Sequence, residues 1–405
     1  MPCSLTALCP GSHWPDYQGG SLLNLMASLS AELDGPALDM AGLRQNTLSG
    51  IGRHRHVVLL LIDGLGVQQL RKLGPDSCLR QHQADTLSTV FPATTSAAIT
   101  SLMTGQSPAS HGLIGWHLQS DTGSEGQAEI VAPLPLTVRH PADSSSTPAQ
   151  LVSQLLVCPP LLPRLGRPVQ ILQPHSIADS PYSRHHAGQA QRTAYRSITE
   201  AFALLAQSLQ QGRQPGFHYL YLPQLDSLMH RHGTQSTAVR ALFGEIDQAF
   251  SELITLADQT DSVLLATADH GFVDTPCARQ ISLDQEFPTL YAMLAQPLSG
   301  ERRAVFCQLR PGLRERFIVL AQQQLGHACW VIESEKLLAG RVFGPGPQHP
   351  QLARRIGDVT LLAKEDWSIR DTLPQEKPLY LPGQHGGVSA AEMNVPLILR
   401  LPRKD

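Results

Sequence analysis

The chain is 405 residues long and 42% hydrophobic. That is enough to bury a substantial core as one large domain with an insertion or as two modest domains, and it excludes a mainly disordered polymer. Its 31 Lys and Arg against 34 Asp and Glu give a net charge of −3, so no global positive field exists to hold a polynucleotide, and a nucleic-acid polymer is not an expected partner.

At the N-terminus the first basic residue is Arg44, and MPCSLTALCP is followed by polar residues, so no secretory signal is expected. The longest strongly apolar stretch, VVLLLI at 57–62, is too short to cross a bilayer. The expectation is a soluble, cytoplasmic protein with no membrane partner. Seven cysteines, at 3, 9, 78, 158, 277, 307 and 329, form an odd set with no CxxC pair. They are expected to be reduced and structural rather than a disulfide framework or a thiolate zinc site.

HVVLLLIDG (56–64) is a continuous β-branched and leucine run closed by Asp-Gly, the pattern of a buried central strand in a parallel sheet, with Asp63 at its carboxyl end. FPATTSAAITSLMTG (91–105) follows, with a helix expected to open at Thr94-Thr95. Residues 118–185 are rich in Pro, Ser, Gln and Gly and read as long loops over the sheet's rim, with a short helix at AQLVSQLL and room for substrate selection. From 189 to 211, Tyr195, Ile198, Phe202, Leu205 and Leu209 share one helical stripe.

FHYLYLPQLD (217–226) and DSVLLATADHG (261–271) repeat the plan of an apolar strand running into acidic residues. Between them Val239, Leu242, Phe243, Ile246, Phe250, Leu253 and Ile254 keep the helical period of a crossover, which makes a βαβ unit. From 275 to 350 the pattern restarts as RRAVFCQL, RERFIVLAQQQL, HACWVI and SEKLLAG, read as a small α/β insert. The main sheet is expected to resume with IGDVTLLAK, pass GQHGG and end in NVPLILRLP. Strands alternating with helices predict a doubly wound, mostly parallel α/β sheet, with a core formed by 1–274 and 351–405 and ligands at the strands' carboxyl ends.

On that rim stand Asp63, Asp226, His230, Asp269, His270 and His385, oxygen and nitrogen ligands suited to zinc, and with one threonine they suffice for two adjacent ions. Asp226 and His230 are four apart and share a face if LDSLMH is helical. Asp269 and His270 are consecutive and would have to diverge at a turn opening on Gly271. A threonine hydroxyl at a helix N-terminus lies beside free backbone amides able to hold a phosphate, which suits a nucleophile. From the residues alone, Thr94 or Thr95 could equally be a cap and no more.

FPATTSAAITSLMTGQSPASHG together with IDG, LDSLMHRHG, ADHG and GQHGG resembles the nucleotide pyrophosphatase/phosphodiesterase family of the alkaline phosphatase superfamily. The match covers most of the chain outside 118–185 and the insert. The resemblance implies two Zn2+ per chain. Asp63, Thr95, Asp269 and His270 would form the site that includes the nucleophile, and Asp226, His230 and His385 the second. It prefers Thr95, three residues after Pro92 and ten before Gly105, as nucleophile, with Thr94 as the fallback. One position departs from the family's pattern: three residues after the nucleophile, where Asn is common, stands Ala98.

The implied activity is cleavage of phosphodiester or pyrophosphate bonds in a small phosphorylated substrate, such as a nucleotide, through a phospho-threonine. A monoesterase or phosphonate hydrolase on the same metals, and a non-catalytic binder of a phosphorylated ligand, are the competing readings. His54 and His56 are expected on the opposite, solvated rim and His111 to be structural; His185-His186 could contact substrate or form an exposed polar loop, His232 could support the metal site or lie at the surface, and Trp116 and Phe91 are expected in the core, with stacking on a base or aromatic leaving group as the alternative. Arg184 and Arg279 are loop arginines that could hold a phosphoryl group. Oligomeric state is not legible in the sequence.

Overall fold

The computed structural model describes residues 7, 9–120, 129–139, 146–212 and 214–403; Cys3 and two parts of the expected 118–185 loops lie outside them. The main strands in chain order are β1 (His56–Ile62), β2 (Gln83–Ser88), β3 (Val169–Pro174), β4 (Gln191–Tyr195), β5 (Gly216–Leu222), β6 (Ser262–Thr267), β7 (Ser299–Glu301), β8 (Ala304–Cys307), β9 (Cys329–Glu333), β10 (Val359–Ala363) and β11 (Asn394–Arg400). Four helices matter most for the site: α1 (Thr95–Thr104), α2 (Ile198–Gln211), α3 (Gln224–His232) and α4 (Thr237–Gln259).

The continuous apolar runs become the middle of a seven-stranded sheet, ordered β2-β11-β6-β1-β5-β3-β4. Every residue of β1, β5 and β6 is buried, as befits strands covered on both faces. β1 pairs in parallel with β5 and β6, while β11 runs antiparallel to β6 and β2. α4 buries Val239, Phe243, Ile246, Phe250 and Leu253, the stripe its sequence shows, and begins where Ser236 accepts a bond from the Val239 amide. In register, Ile62 faces Leu222 and Leu61 faces Thr267, so β1, β5 and β6 end together and Asp63, α3 and Asp269 emerge side by side.

Three expectations are corrected. The helix expected over 189–211 begins only at Ile198, and Gln191–Tyr195 form the edge strand β4; Tyr195 is buried because it closes that strand, not because it shares the helical stripe. The 118–185 stretch has the helix expected at AQLVSQLL, over Pro148–Leu155, but it also contains β3, a strand of the central sheet, where loops are expected. IGDVTLLAK does not rejoin the main sheet: β10 lies inside a second, four-stranded sheet ordered β7-β8-β10-β9, antiparallel to β8 and β9. Its apolar run is that of a central strand, but the sheet it centres is the smaller one.

Arg303, at the start of the second sheet's hairpin, is fully buried and bolts the two sheets' loops together. It donates to Glu392 at 2.7 and 2.9 Å and to the Glu365 carbonyl, and Glu392 in turn accepts from the Gly387 amide at 2.7 Å, two residues past His385. Arg303→Met would leave the Glu392 carboxylate buried and unpaired. It is expected to lower the free energy of unfolding by about 3–5 kcal/mol in denaturant titration.

Candidate functional site

The sequence puts an aspartate directly after β1 and an Asp-His pair two residues after β6, and the aligned strand ends gather them. Asp63, Asp269 and His270 are all but fully buried, and one ligand atom from each lies within 4.8 Å of the others. His270 Nε2 is 3.5 Å from Asp63 Oδ1 and 3.2 Å from Asp269 Oδ2. Asp269 and His270 therefore converge rather than diverge. The turn that achieves this needs Gly271, where a Cβ would stand 2.0 Å from the Ala391 carbonyl oxygen.

Each carboxylate has one oxygen tied down and one left over. Asp269 Oδ1 accepts the Gly64 and His270 amides at 3.1 and 3.0 Å, and Asp63 Oδ2 accepts the Tyr221 hydroxyl. Asp63 Oδ1 and Asp269 Oδ2 are buried without a hydrogen-bond partner among the described residues. Buried polar atoms are ordinarily satisfied, so two orphaned anionic oxygens facing one imidazole nitrogen form a donor set that fits a cation. Burial, then the Asp269 and Asp226 carboxylates, push the Asp63 carboxyl well above its usual range.

α3 begins at Gln224, and its pitch puts Asp226 and His230 on one face. His230 Nε2 lies 3.4 Å from Asp226 Oδ1, and His385 Nε2 lies 3.8 Å from the same oxygen, which has no hydrogen-bond partner among the described residues. His230 Nδ1 donates to the Gly383 carbonyl at 2.9 Å and His385 Nδ1 to the Ala93 carbonyl at 3.0 Å. Both Nε2 atoms are thereby left as lone-pair carriers, and they face each other at 3.1 Å. Two facing lone pairs repel unless a proton or a cation lies between them, and the fixed Nδ1 bonds are the usual way of orienting ligand imidazoles. Burial, then His270 and His230, hold the His385 imidazole well below its ordinary value; burial is also the largest influence on His230 and pulls it down, but the Asp226 charge and hydrogen bond, the Gly383 carbonyl and Glu301 together leave it raised. The His270 and His385 rings stack with centroids 3.7 Å apart, so the two clusters adjoin.

Thr95 is the first residue of α1, and its Oγ1 lies 3.1 Å from His270 Nε2. Thr94, the cap residue, turns its hydroxyl away to Glu301. The first-turn amides of such a helix have no carbonyl partner within the helix. Ala98 is fully buried one helical turn after Thr95 and brings no polar atom to that position.

A cavity of about 690 Å3 opens from Thr95, Asp226, His230 and His385 toward the second sheet, with Trp116 and Glu301 in its wall. Glu301 was not singled out by its sequence. Its Oε1 accepts from Thr94 Oγ1 and from the Trp116 amide at 2.7 Å, and burial pushes its carboxyl up to about 7. Tyr221, too, carried no functional signal, being one of several aromatics in a buried strand.

The histidines set aside divide. His54 pairs with Asp261 at the far rim, but His56 is buried beside His218, 3.3 Å from its ring nitrogen, which corrects the solvated reading. His111 is buried and holds the Leu113 amide and Ser101 Oγ, and His186 is buried against Tyr182. His185 is half-buried and His232 exposed. Phe91 packs in the core against Trp14 and Phe343, whereas Trp116 is 47% exposed at the cavity. Arg184 pairs with Asp179 and Arg279 with Glu365 and Asp366, and neither lines the cavity.

No described helix is long and apolar enough to cross a membrane. No curated protein sequence matches the chain. Among solved structures, it resembles phosphonoacetate hydrolase from Sinorhizobium meliloti in complex with phosphonoacetate, with a TM-score of 0.61 at 16% identity over 87% of this chain and 91% of that one. It also resembles human ectonucleotide pyrophosphatase / phosphodiesterase 5, with a TM-score of 0.59 at 18% identity over 85% and 87%, and the murine protein in complex with AMP, with 0.57 at 15% over 84% and 87%. These likenesses show the alkaline phosphatase-like fold, a large and mostly parallel sheet in a mixed α/β chain. The family model for type I phosphodiesterase / nucleotide pyrophosphatase spans residues 57–387, from the strand that delivers Asp63 to the loop just beyond His385. Matched over that length, the chain belongs to this family of metal-dependent hydrolases.

Proposed function

We propose that the protein is a zinc-dependent phosphohydrolase that cleaves phosphodiester or pyrophosphate bonds in a small phosphorylated substrate, such as a nucleotide, with Thr95 as nucleophile. The observation that carries this reading is the Thr95 hydroxyl at a helix N-terminus, 3.1 Å from His270 and flanked by two three-residue clusters of oxygen and nitrogen donors. Asp63, Asp269 and His270 with Thr95 would hold one Zn2+, and Asp226, His230 and His385 the other. When bound, such ions supply Lewis acidity that lowers the pKa of hydroxyl groups and offsets charge on phosphoryl oxygens.

Thr95 Oγ1 forms the new bond to phosphorus while the bond to the leaving oxygen breaks on the opposite side, giving phospho-threonine. Water then displaces the threonine oxygen and releases phosphate or a phosphate ester. The first-turn amides of α1 hold a phosphoryl oxygen as charge builds on it. Gly271, Gly383 and Ala93 carbonyls keep the three imidazoles in one tautomer through both steps. A cytoplasmic setting is proposed with this function, since the described cysteines are all free thiols.

A panel of a nitrophenyl diester, a nitrophenyl monoester and phosphonoacetate tests the reading, with diester turnover expected to lead. Phosphonoacetate turnover alone would move the assignment to a phosphonate hydrolase, the activity named for the Sinorhizobium meliloti neighbour. Stoichiometric zinc with no turnover on any of the three would make the protein a binder. His385→Ala is expected to cost one of two zinc ions by elemental analysis, and unchanged occupancy of both would remove His385 from the ligand set.

A further inference from the structure

The wall of the cavity opposite Thr95 is built by the second sheet and the segment after β10, and it is cationic. Arg139, Arg302 and Arg370 all line it. Arg139 is spoken for: it pairs with Asp371 at 2.9 Å and Glu376 at 2.7 Å, and all but a few per cent of its side chain is buried. Arg302 and Arg370 are not. Among the described residues neither forms an ion pair, and their side-chain bonds go only to neutral oxygens, Arg302 to the Leu379 carbonyl at 2.8 Å and Arg370 to Thr372 Oγ1 at 2.6 Å. Arg370 Nε is buried with no acceptor at all.

The backbone forces these two side chains to be neighbours. The Ile369 amide donates to the Arg302 carbonyl at 2.7 Å, which sets Arg370 next to Arg302 across the cavity wall. Their charges are close enough to be felt: burial, then Arg370, bring the Arg302 guanidinium down to about 10. Half-burying two like charges side by side costs free energy, and the nearby Glu301 and Asp371 carboxylates offset it only in part. Asp371 and Glu376 are engaged by Arg139, and Glu301 gives Oε1 to Thr94 and Trp116. A guanidinium presents a planar fork of donors suited to a carboxylate or phosphate, so an unpaired couple facing a cavity is a built receptor for an oxyanion.

We infer that Arg302 and Arg370 form a second anion subsite in the substrate cavity, one that binds a carboxylate or phosphate carried on the leaving-group side of the scissile phosphorus. This rests on the proposed placement of the phosphoryl group beside Thr95, and it narrows the substrate class to molecules with two anionic groups. Trp116, half exposed between the two subsites, would cover the connecting portion. Glu301 lines the same cavity, within electrostatic reach of both Arg302 and His230.

The experiment measures binding, not turnover. The zinc-loaded protein is titrated calorimetrically with alkylphosphonates of one to six carbons. It is then titrated with the ω-carboxyalkylphosphonates and α,ω-bisphosphonates of the same lengths, for wild type, Arg302→Met, Arg370→Met and Arg302→Lys. At one spacer length a bianionic ligand is expected to bind at least about tenfold tighter than its monoanionic partner. The two series report whether the second group is a carboxylate or a phosphate. The ratio should fall toward one in both methionine variants and be partly kept in the lysine variant. Chelation of zinc by a bianion would act equally on wild type and variants and so cannot produce that difference. A ratio near one at every length, or a preference that survives both methionine substitutions, overturns the subsite. Binding preference without turnover of the nitrophenyl diester, the nitrophenyl monoester or phosphonoacetate would retire the hydrolase reading and leave the subsite standing, whereas turnover without preference would do the reverse.

Discussion

Thr95→Ala is expected to lower kcat on a nitrophenyl phosphodiester by about a thousandfold or more, with zinc content and melting temperature close to wild type. Among the described residues the hydroxyl has one hydrogen-bond contact, to His270, so its loss empties no buried network there. Asp63, Asp269 and His270 remain as three donors. Alanine is also the best helix former, so the first position of α1 is not penalised. Thr94→Ala is the control, because its hydroxyl bonds Glu301 rather than a member of the candidate metal-binding cluster. That change should disturb the cavity wall and alter KM more than kcat. Rates near wild type in Thr95→Ala would dismiss the nucleophile, and a collapse confined to Thr94→Ala would transfer the role to Thr94.

What could be read from sequence follows how local the determining contacts are. β1, β5 and β6 announce themselves because strands buried on both faces must be apolar throughout, and the Asp and His residues that follow them stand out against that background. Asp226 and His230 are legible as a pair because helical pitch alone brings i and i+4 together. β4 gave no signal, since QRTAY buries only Tyr195 at the sheet's edge. β10 gave a misleading one, because VTLLA is equally suited to the centre of either sheet. His56 looked solvated as a polar residue at a strand's start, but it is buried with His218, whose two ring nitrogens meet His56 Nδ1 and Gln170 Oε1. Glu301 was invisible for the plainest reason: its partner Thr94 is 207 residues away, and nothing in SGERR points to a helix cap so distant.

The second large effect is a stability change whose sign depends on metal. In the metal-free protein Asp63→Asn is expected to be more stable than wild type by about 1–3 kcal/mol at pH 8, and in excess zinc less stable. The folded protein holds the Asp63 carboxyl well above the ordinary carboxylate value, through burial and the Asp269 and Asp226 charges. A group raised in this way contributes its stability below the unfolded value and loses it as pH rises through the folded one. The advantage of Asp63→Asn over wild type should therefore be small near pH 4 and grow toward neutral and alkaline pH. The amide can still accept the Tyr221 hydroxyl, so little packing is lost. With zinc present the order inverts, because a ligand that binds only the folded state stabilises it in proportion to the logarithm of its concentration over Kd, and Asp63→Asn removes an anionic ligand. Denaturant unfolding of both proteins at pH 4 and pH 8, with chelator or with zinc, gives all the comparisons. If the chelator-treated variant at pH 8 is less stable than wild type, Asp63 is not a strained, cation-seeking carboxylate. If zinc stabilises both proteins equally, it is not a ligand.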